Sequence, residues 1–139
     1  MTIDGLATCK SDFDPKQTME RLVAAVERRG TAVLSRIDHS AAAASVGMQL
    51  RPTALLIFGN PKAGTPLMGA AQTIGIDLPL RALVWQDSGG QTWLGYNEPH
   101  FLAQRHGIDS DFGKVLDAMA KTLEAVAVEA TRRATGDPT

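Results

Sequence analysis

Leu80-Arg81-Ala82-Leu83-Val84-Trp85-Gln86-Asp87-Ser88-Gly89-Gly90-Gln91-Thr92-Trp93-Leu94-Gly95-Tyr96-Asn97 is the stretch that decides the fold. Residues 80–86 and 91–97 are rich in apolar, β-branched and aromatic side chains, and Asp87-Ser88-Gly89-Gly90 between them is turn chemistry. The stretch therefore reads as a β-hairpin. With Gln86 opposite Gln91, one face carries Leu83, Trp85, Leu94 and Tyr96, and the other Ala82, Val84 and Trp93, because successive strand residues point to opposite sides. Both faces are apolar, so both need a cover.

Working outward, Thr53-Ala54-Leu55-Leu56-Ile57-Phe58 is apolar after its first residue and bounded by turn residues, which at six residues marks a buried strand. Residues 31–37 form another strand, with Ala32, Val33, Leu34 and Ile37 available to a core, and Cys9 lies in a further one. A helix over 15–29 is announced by Asp14, Pro15 and Gln17, a capping box with proline at the first helical position, and is stopped by Arg28-Arg29-Gly30. Short helices are expected at 41–44, capped by Asp38 or Ser40, and from Gly64 or Thr65 to Thr73 with Pro66 near the start. Residues 98–106 give a short helix or structured loop. Val115, Leu116, Met119, Leu123, Val126, Ala127 and Ala130 keep a 3.6-residue period for a long last helix, with Asp109 and Asp111 at its start. The order β-α-β-α-β-α-β-β-α-α describes one α+β domain over 1–134, with a mixed sheet of about five strands and two long amphipathic helices. Residues 135–139 read as a frayed tail.

Composition narrows the class. Of the 139 residues, 14 are Lys or Arg and 15 Asp or Glu, a net charge of −1 that gives no support to nucleic-acid binding. One cysteine, Cys9, excludes an internal disulfide and a four-cysteine zinc site. No run approaches the ~18 apolar residues that span a bilayer. The N-terminus, Met1-Thr2-Ile3-Asp4-Gly5, lacks the basic and apolar regions of a secretory signal, so the expected location is cytoplasmic, with no membrane partner.

Leu50-Arg51-Pro52, the apolar strand, and Phe58-Gly59-Asn60-Pro61-Lys62-Ala63-Gly64-Thr65-Pro66-Leu67-Met68 together resemble the hallmark of the domain of unknown function 302 family. Ile37-Asp38 closing the second strand and Ile76-Asp77-Leu78-Pro79-Leu80 opening the hairpin fit the same pattern, and the resemblance covers about 13–123. It implies a small α+β fold that tends to form dimers. It implies no settled activity and carries over no catalytic residue.

The loop at 59–65 is the leading candidate site. It joins a buried strand to a helix start, where free N–H groups favour an anion, and Lys62 and Thr65 add a charge and a hydroxyl. Gly59 and Gly64 imitate the spacing of a phosphate loop. However, the lysine lies inside the loop, and Pro61 and Pro66 delete two donors, so a nucleotide cradle is disfavoured. The bland alternative is a rigid strand-to-helix turn. Asn60, Lys62, Thr65, Tyr96, Asn97 and His100 are the ligand-binding candidates, and residues 60–65 are expected to border the principal pocket.

His100 and His106 stand six apart, about 240° round a helix, and no acidic cluster accompanies them, so a multi-ligand metal site is not expected. A haem needs only one axial ligand, for which His100, His106 or Met68 are candidates. No Gly-x-Ser-x-Gly elbow occurs, and Cys9 has no nearby basic cluster to lower its pKa. The expectation is a non-enzymatic, homodimeric module that binds a small molecule or cofactor. Its alternatives are a small enzyme using polar residues near residues 60–65, and a haem protein. Trp85 and Trp93 are the candidates for the dimer contact, since the two long helices cover one sheet face and leave the other.

Overall fold

A computed structural model describes residues 2–134. Its strands are β1 (Leu6–Lys10), β2 (Ala32–Asp38), β3 (Thr53–Gly59), β4 (Leu80–Gln86) and β5 (Thr92–Asn97). Its α-helices are α1 (Pro15–Arg28), α2 (His39–Ser45), α3 (Pro61–Ala70), α4 (Pro99–Arg105) and α5 (Gly113–Thr131). Short 3-10 turns occupy Gln72–Ile76 and Ser110–Phe112. The expected α+β order is therefore present; the tail at 135–139 lies outside the described residues.

Local chemistry explains most boundaries. At α1 the Asp14 carboxylate accepts from the Gln17 N–H at 2.7 Å while Gln17 Oε1 accepts from the Asp14 N–H, and Pro15 opens the helix. Asp38 caps α2 by accepting from Ala41 N–H at 2.9 Å. At the far end of α5, Arg21 Nη2 donates to the carbonyls of Glu129 and Arg132, 2.9 and 3.3 Å away, filling acceptors that a helix terminus leaves open. The Arg21 guanidinium also lies 4.1 Å from the Phe13 ring centroid, while Arg28 and Arg29 both pair with Glu129.

The sheet order is β1-β5-β4-β3-β2, and every pairing is antiparallel. The mixed sheet expected from sequence is thus an antiparallel one: neighbours in the sheet run in opposite directions, and no helix carries the chain between parallel neighbours. Met19, Leu22, Ala25 and Val26 of α1, with Leu116, Met119, Leu123 and Val126 of α5, bury Leu56, Phe58, Ala82, Val84 and Leu94 on one sheet face. That face is the core.

The hairpin register differs from expectation by one residue. Gln86 pairs with Thr92, not Gln91, and Trp85 pairs with Trp93. Asp87 and Gln91 still face each other, since the Asp87 N–H donates to the Gln91 carbonyl, so the loop is only Ser88-Gly89-Gly90. Gly90 takes φ of 88°, the left-handed position that closes three-residue hairpins. One slipped residue moves side chains to the opposite face. Leu94 and Tyr96 consequently join Ala82 and Val84 on the helix side, and Trp93 joins Leu83 and Trp85 on the other.

That second face holds Leu55 and Ile57 of β3, Leu83 and Trp85 of β4, and Trp93 of β5, all only half-buried. The short helices do not seal it, for α2 buries no residue and α3 buries Leu67 alone. Leu34 and Ile37, expected in the core, are 57% and 38% exposed. β2 is an edge strand whose register shifts between Val33 and Ser35, which takes Leu34 out of the alternation. Helix α3 also starts earlier than expected, because Asn60 caps it and Pro61 takes its first position. Pro66 therefore lies inside the helix, which ends at Ala70 rather than Thr73. Asp109 caps the 3-10 turn before α5, not α5 itself.

Candidate functional site

Because β3 and β5 both run antiparallel to β4, their C-terminal ends meet the same end of the sheet. Asn60, which follows β3, Asn97, which closes β5, and His100 in the first turn of α4 are therefore brought to one end. Asn60 is already employed: its side-chain oxygen accepts from the Lys62 N–H at 3.0 Å. Lys62, Thr65 and Asn97 are exposed. His100 Nε2 meets Asp117 Oδ1 at 2.7 Å and ties α4 to α5.

Tyr96 does not join them, because it sits on the helix face opposite Ala7 and Ala82. Burial pushes its phenol pKa above the ordinary value, and the charges of Glu124, Cys9 and Glu98 add to the effect.

Two shallow grooves stand out, and neither is lined by residues 60–65. One of about 400 Å³ lies over Phe13, Gln17, Glu20, Arg21, Arg28 and Glu129, and another of about 390 Å³ over Arg29, Lys121, Glu124 and Val128. Residues 60–65 were expected to border the principal pocket, and neither of these two grooves reaches them. Asn60 and Pro61 continue the strand directly into a helix and leave a filled turn there, with Gly59 against Pro79 and Gly64 near Leu78 and Met68.

The same end of the sheet carries a polar network of which only His106 was among the sequence-based candidates. Arg105 Nη1 donates to both carboxylate oxygens of Asp77 at 2.9 and 2.8 Å. His106 Nε2 lies 2.5 Å from Asp77 Oδ2, and its Nδ1 lies 2.9 Å from Thr73 Oγ1. A carboxylate only accepts, so His106 Nε2–H donates to Asp77, while Nδ1 and the Thr73 hydroxyl share the second bond. Both ring nitrogens of His106 are thus engaged, and its side chain is 8% exposed. Axial ligation of a haem would require breaking one of these bonds. Met68 is half-buried against the core, and His100 keeps Nδ1 outside its bond to Asp117. Met68, His100 and His106 line neither groove.

Thr73, Asp77 and Arg105 escaped sequence reasoning because they lie 28 to 33 residues from their partners and at no motif spacing. The one signal was Asp77 between two buried apolar residues, Ile74 and Leu78. Among the described residues, no three of His, Cys, Asp and Glu come together as a metal cage.

On the uncovered face the two indoles stack, with centroids 6.3 Å apart and planes 12° from parallel. Trp93 Nε1 donates to Asp87 Oδ2 at 2.8 Å, and Lys10 Nζ stands 5.7 Å from the Trp93 ring centroid. The Trp93 N–H, then the Gln91 N–H, hold the Asp87 carboxyl below the usual range.

The family model for the domain of unknown function DUF302 matches residues 7–126. The chain belongs to the DUF302 family. A crystal structure of an uncharacterized conserved DUF302 protein from Bacillus stearothermophilus superposes with a TM-score of 0.81. It is 21% identical and is covered over 99% of its length, against 92% of this chain, so it shows the DUF302 fold. Among curated relatives, the fluoride-specific ion channel FluC 1 of Brucella suis biovar 1 is 43% identical over 133 residues, 96% of this chain and 51% of the relative. FluC 1 of Brucella abortus biovar 1 is also 43% identical, over 96% of this chain and 48% of the relative. The chain spans about half the length of the curated relatives it matches. Among the described residues, no helix is long and apolar enough to cross a membrane.

Proposed function

We propose that this DUF302 chain is a non-enzymatic, cytoplasmic module that binds a small molecule or cofactor and works as a homodimer closed on the second face of its sheet. The observation that carries the reading is that face itself. Leu55, Ile57, Leu83, Trp85 and Trp93 share one half-buried apolar face that no helix among the described residues seals. Such surfaces mark interaction sites rather than free solvent contacts. A second copy supplies the same surface, and two-fold pairing is the commonest way to close one.

For the ligand, the reading turns on the sheet end that carries Asn60, Lys62, Thr65, Asn97 and His100. Absorbance and mass spectrometry of protein purified without added ligand test it. A bound small molecule that is released on denaturation and held less tightly by Lys62→Ala supports the module, and a Soret band identifies that molecule as haem. Protein that carries nothing, and whose melting temperature is unmoved by a panel of anions and cofactors, removes it.

A second reading is favoured by the Brucella relatives, which are named as fluoride-specific ion channels. This chain offers no membrane-crossing helix among its described residues, so conduction in those proteins would fall to the part it does not match. The matched part would then be an accessory module to a channel. Deleting the gene for this chain should lower fluoride tolerance in growth assays; unchanged tolerance removes this reading.

A further inference from the structure

We propose that residues 46–50 form an arm that lies across the Trp85–Trp93 pair of the second copy. The inference rests on the dimer reading and adds to it the segment that covers the indoles. Val46, Met48 and Leu50 are 71%, 65% and 50% exposed, an alternation of large apolar side chains in a stretch that leaves α2 and does not enter the sheet until Thr53. Together they present on the order of 300 Å² of apolar surface, as much as the whole largest patch of many monomers. No described residue of their own chain buries them.

The arm is also in the right place. The Pro52 carbonyl accepts from the Gln86 N–H at 3.0 Å, and Arg51 Nε donates to the Gln86 carbonyl at 3.3 Å. The arm therefore joins the sheet beside the strand end that carries Trp85, and Trp85 pairs across to Trp93. A two-fold axis running along the strands would set like ends of the two sheets together. Each arm then meets the other copy's indoles, and both unpartnered surfaces are buried by one contact. Gly47, at φ of 76° with no atom within 4 Å of a built Cβ, gives the bend that turns the chain from α2 into the arm.

The test places the photoreactive residue p-benzoylphenylalanine at Met48 in the full chain and mixes isotopically light and heavy protein before irradiation. The expected product is a light–heavy crosslink from position 48 to a peptide containing Trp85 or Trp93. Crosslinks confined to one copy, or reaching other peptides, overturn the arm while a dimeric mass by light scattering keeps the dimer. A monomeric mass at every concentration overturns both. As Met48 is exposed within its own copy, Met48→Asp should fold normally and weaken dimerisation at least tenfold. An unchanged dissociation constant also overturns the arm.

Discussion

Replacing Asp77 with alanine removes the acceptor shared by His106 and Arg105, and the structure sets the size of the loss. His106 and Asp77 are 8% and 15% exposed, so their bond is shielded from water and leaves His106 Nε2–H without an acceptor when it breaks. Hydrogen bonds to charged groups contribute about 1.5–3 kcal/mol each. The Arg105 side chain is 56% exposed, and pairs of that kind contribute about 0–1 kcal/mol. Asp77→Ala should therefore cost about 2–4 kcal/mol, and Arg105→Ala under about 1 kcal/mol. With an unfolding entropy of about 2.1 cal/mol/K per residue, 139 residues give roughly 3–4 °C per kcal/mol. Thermal melts at pH 7 and one fixed protein concentration should fall by about 7–14 °C for Asp77→Ala and by no more than about 4 °C for Arg105→Ala. Fixed concentration matters because dimerisation raises the apparent melting point. Equal shifts in the two variants, or a shift below about 2 °C for Asp77→Ala, would refute the view that the buried histidine bond dominates this network.

Three further outcomes follow from the sheet. A Cβ built on Gly95 would stand 3.0 Å from Trp85 Cζ3 and 3.3 Å from the Ala7 carbonyl, so Gly95→Ala should push the Trp85 indole aside. A loss of about 1–3 kcal/mol and of the stacked-indole signal in near-ultraviolet circular dichroism is expected; an unchanged spectrum contradicts the packing. Burial raises the Tyr96 phenol pKa, so ultraviolet titration of this single tyrosine should have its midpoint above about 10. A group raised on folding contributes its stability below the unfolded value and loses it as pH rises, so Tyr96→Phe should soften alkaline unfolding. A midpoint at or under 10 speaks against burial. Asp87 is shifted the other way, so its bond to Trp93 contributes above about pH 3.9 and is lost as pH falls through the lower folded value. Tryptophan fluorescence should show its acid step below that pH, and a step above it contradicts the bond.

What the sequence disclosed and what it withheld divide along one physical line. Asp14, Pro15 and Gln17 act on donors within three residues, so the start of α1 was legible. The 3.6-residue period of α5 and the apolar runs of β3 and β4 depend only on which side is buried. The hairpin register hung on whether Asp87 and Gln91 belong to the loop or the ladder. Asp87 is both, since its side chain binds the Gly89 and Gln91 N–H groups while its backbone pairs with Gln91. That single residue moved Trp93 to the face of Trp85. The start of α3 was missed because Asn60-Pro61 is equally good as a turn or as a cap with proline at the first position. The Thr73–His106–Asp77–Arg105 network was illegible for another reason: it exists only once α4 docks beside the 3-10 turn at Gln72–Ile76.

Light scattering across a concentration series bears most directly on the central claim, that the uncovered sheet face pairs with a second copy. Hiding even ~400 Å² of apolar surface at about 25 cal/mol per Å² contributes roughly 10 kcal/mol, against association costs of at least 4 kcal/mol. With the cost at that lower bound, the surplus of about 6 kcal/mol corresponds to a dissociation constant of tens of micromolar. The wild-type chain should approach twice its 14.8 kDa at a few hundred micromolar, and Trp93→Glu, which sets a carboxylate on that face, should stay at 14.8 kDa throughout. A wild-type mass of 14.8 kDa that does not rise on concentration would contradict the claim, and a Trp93→Glu dimer as tight as wild type would place the contact elsewhere.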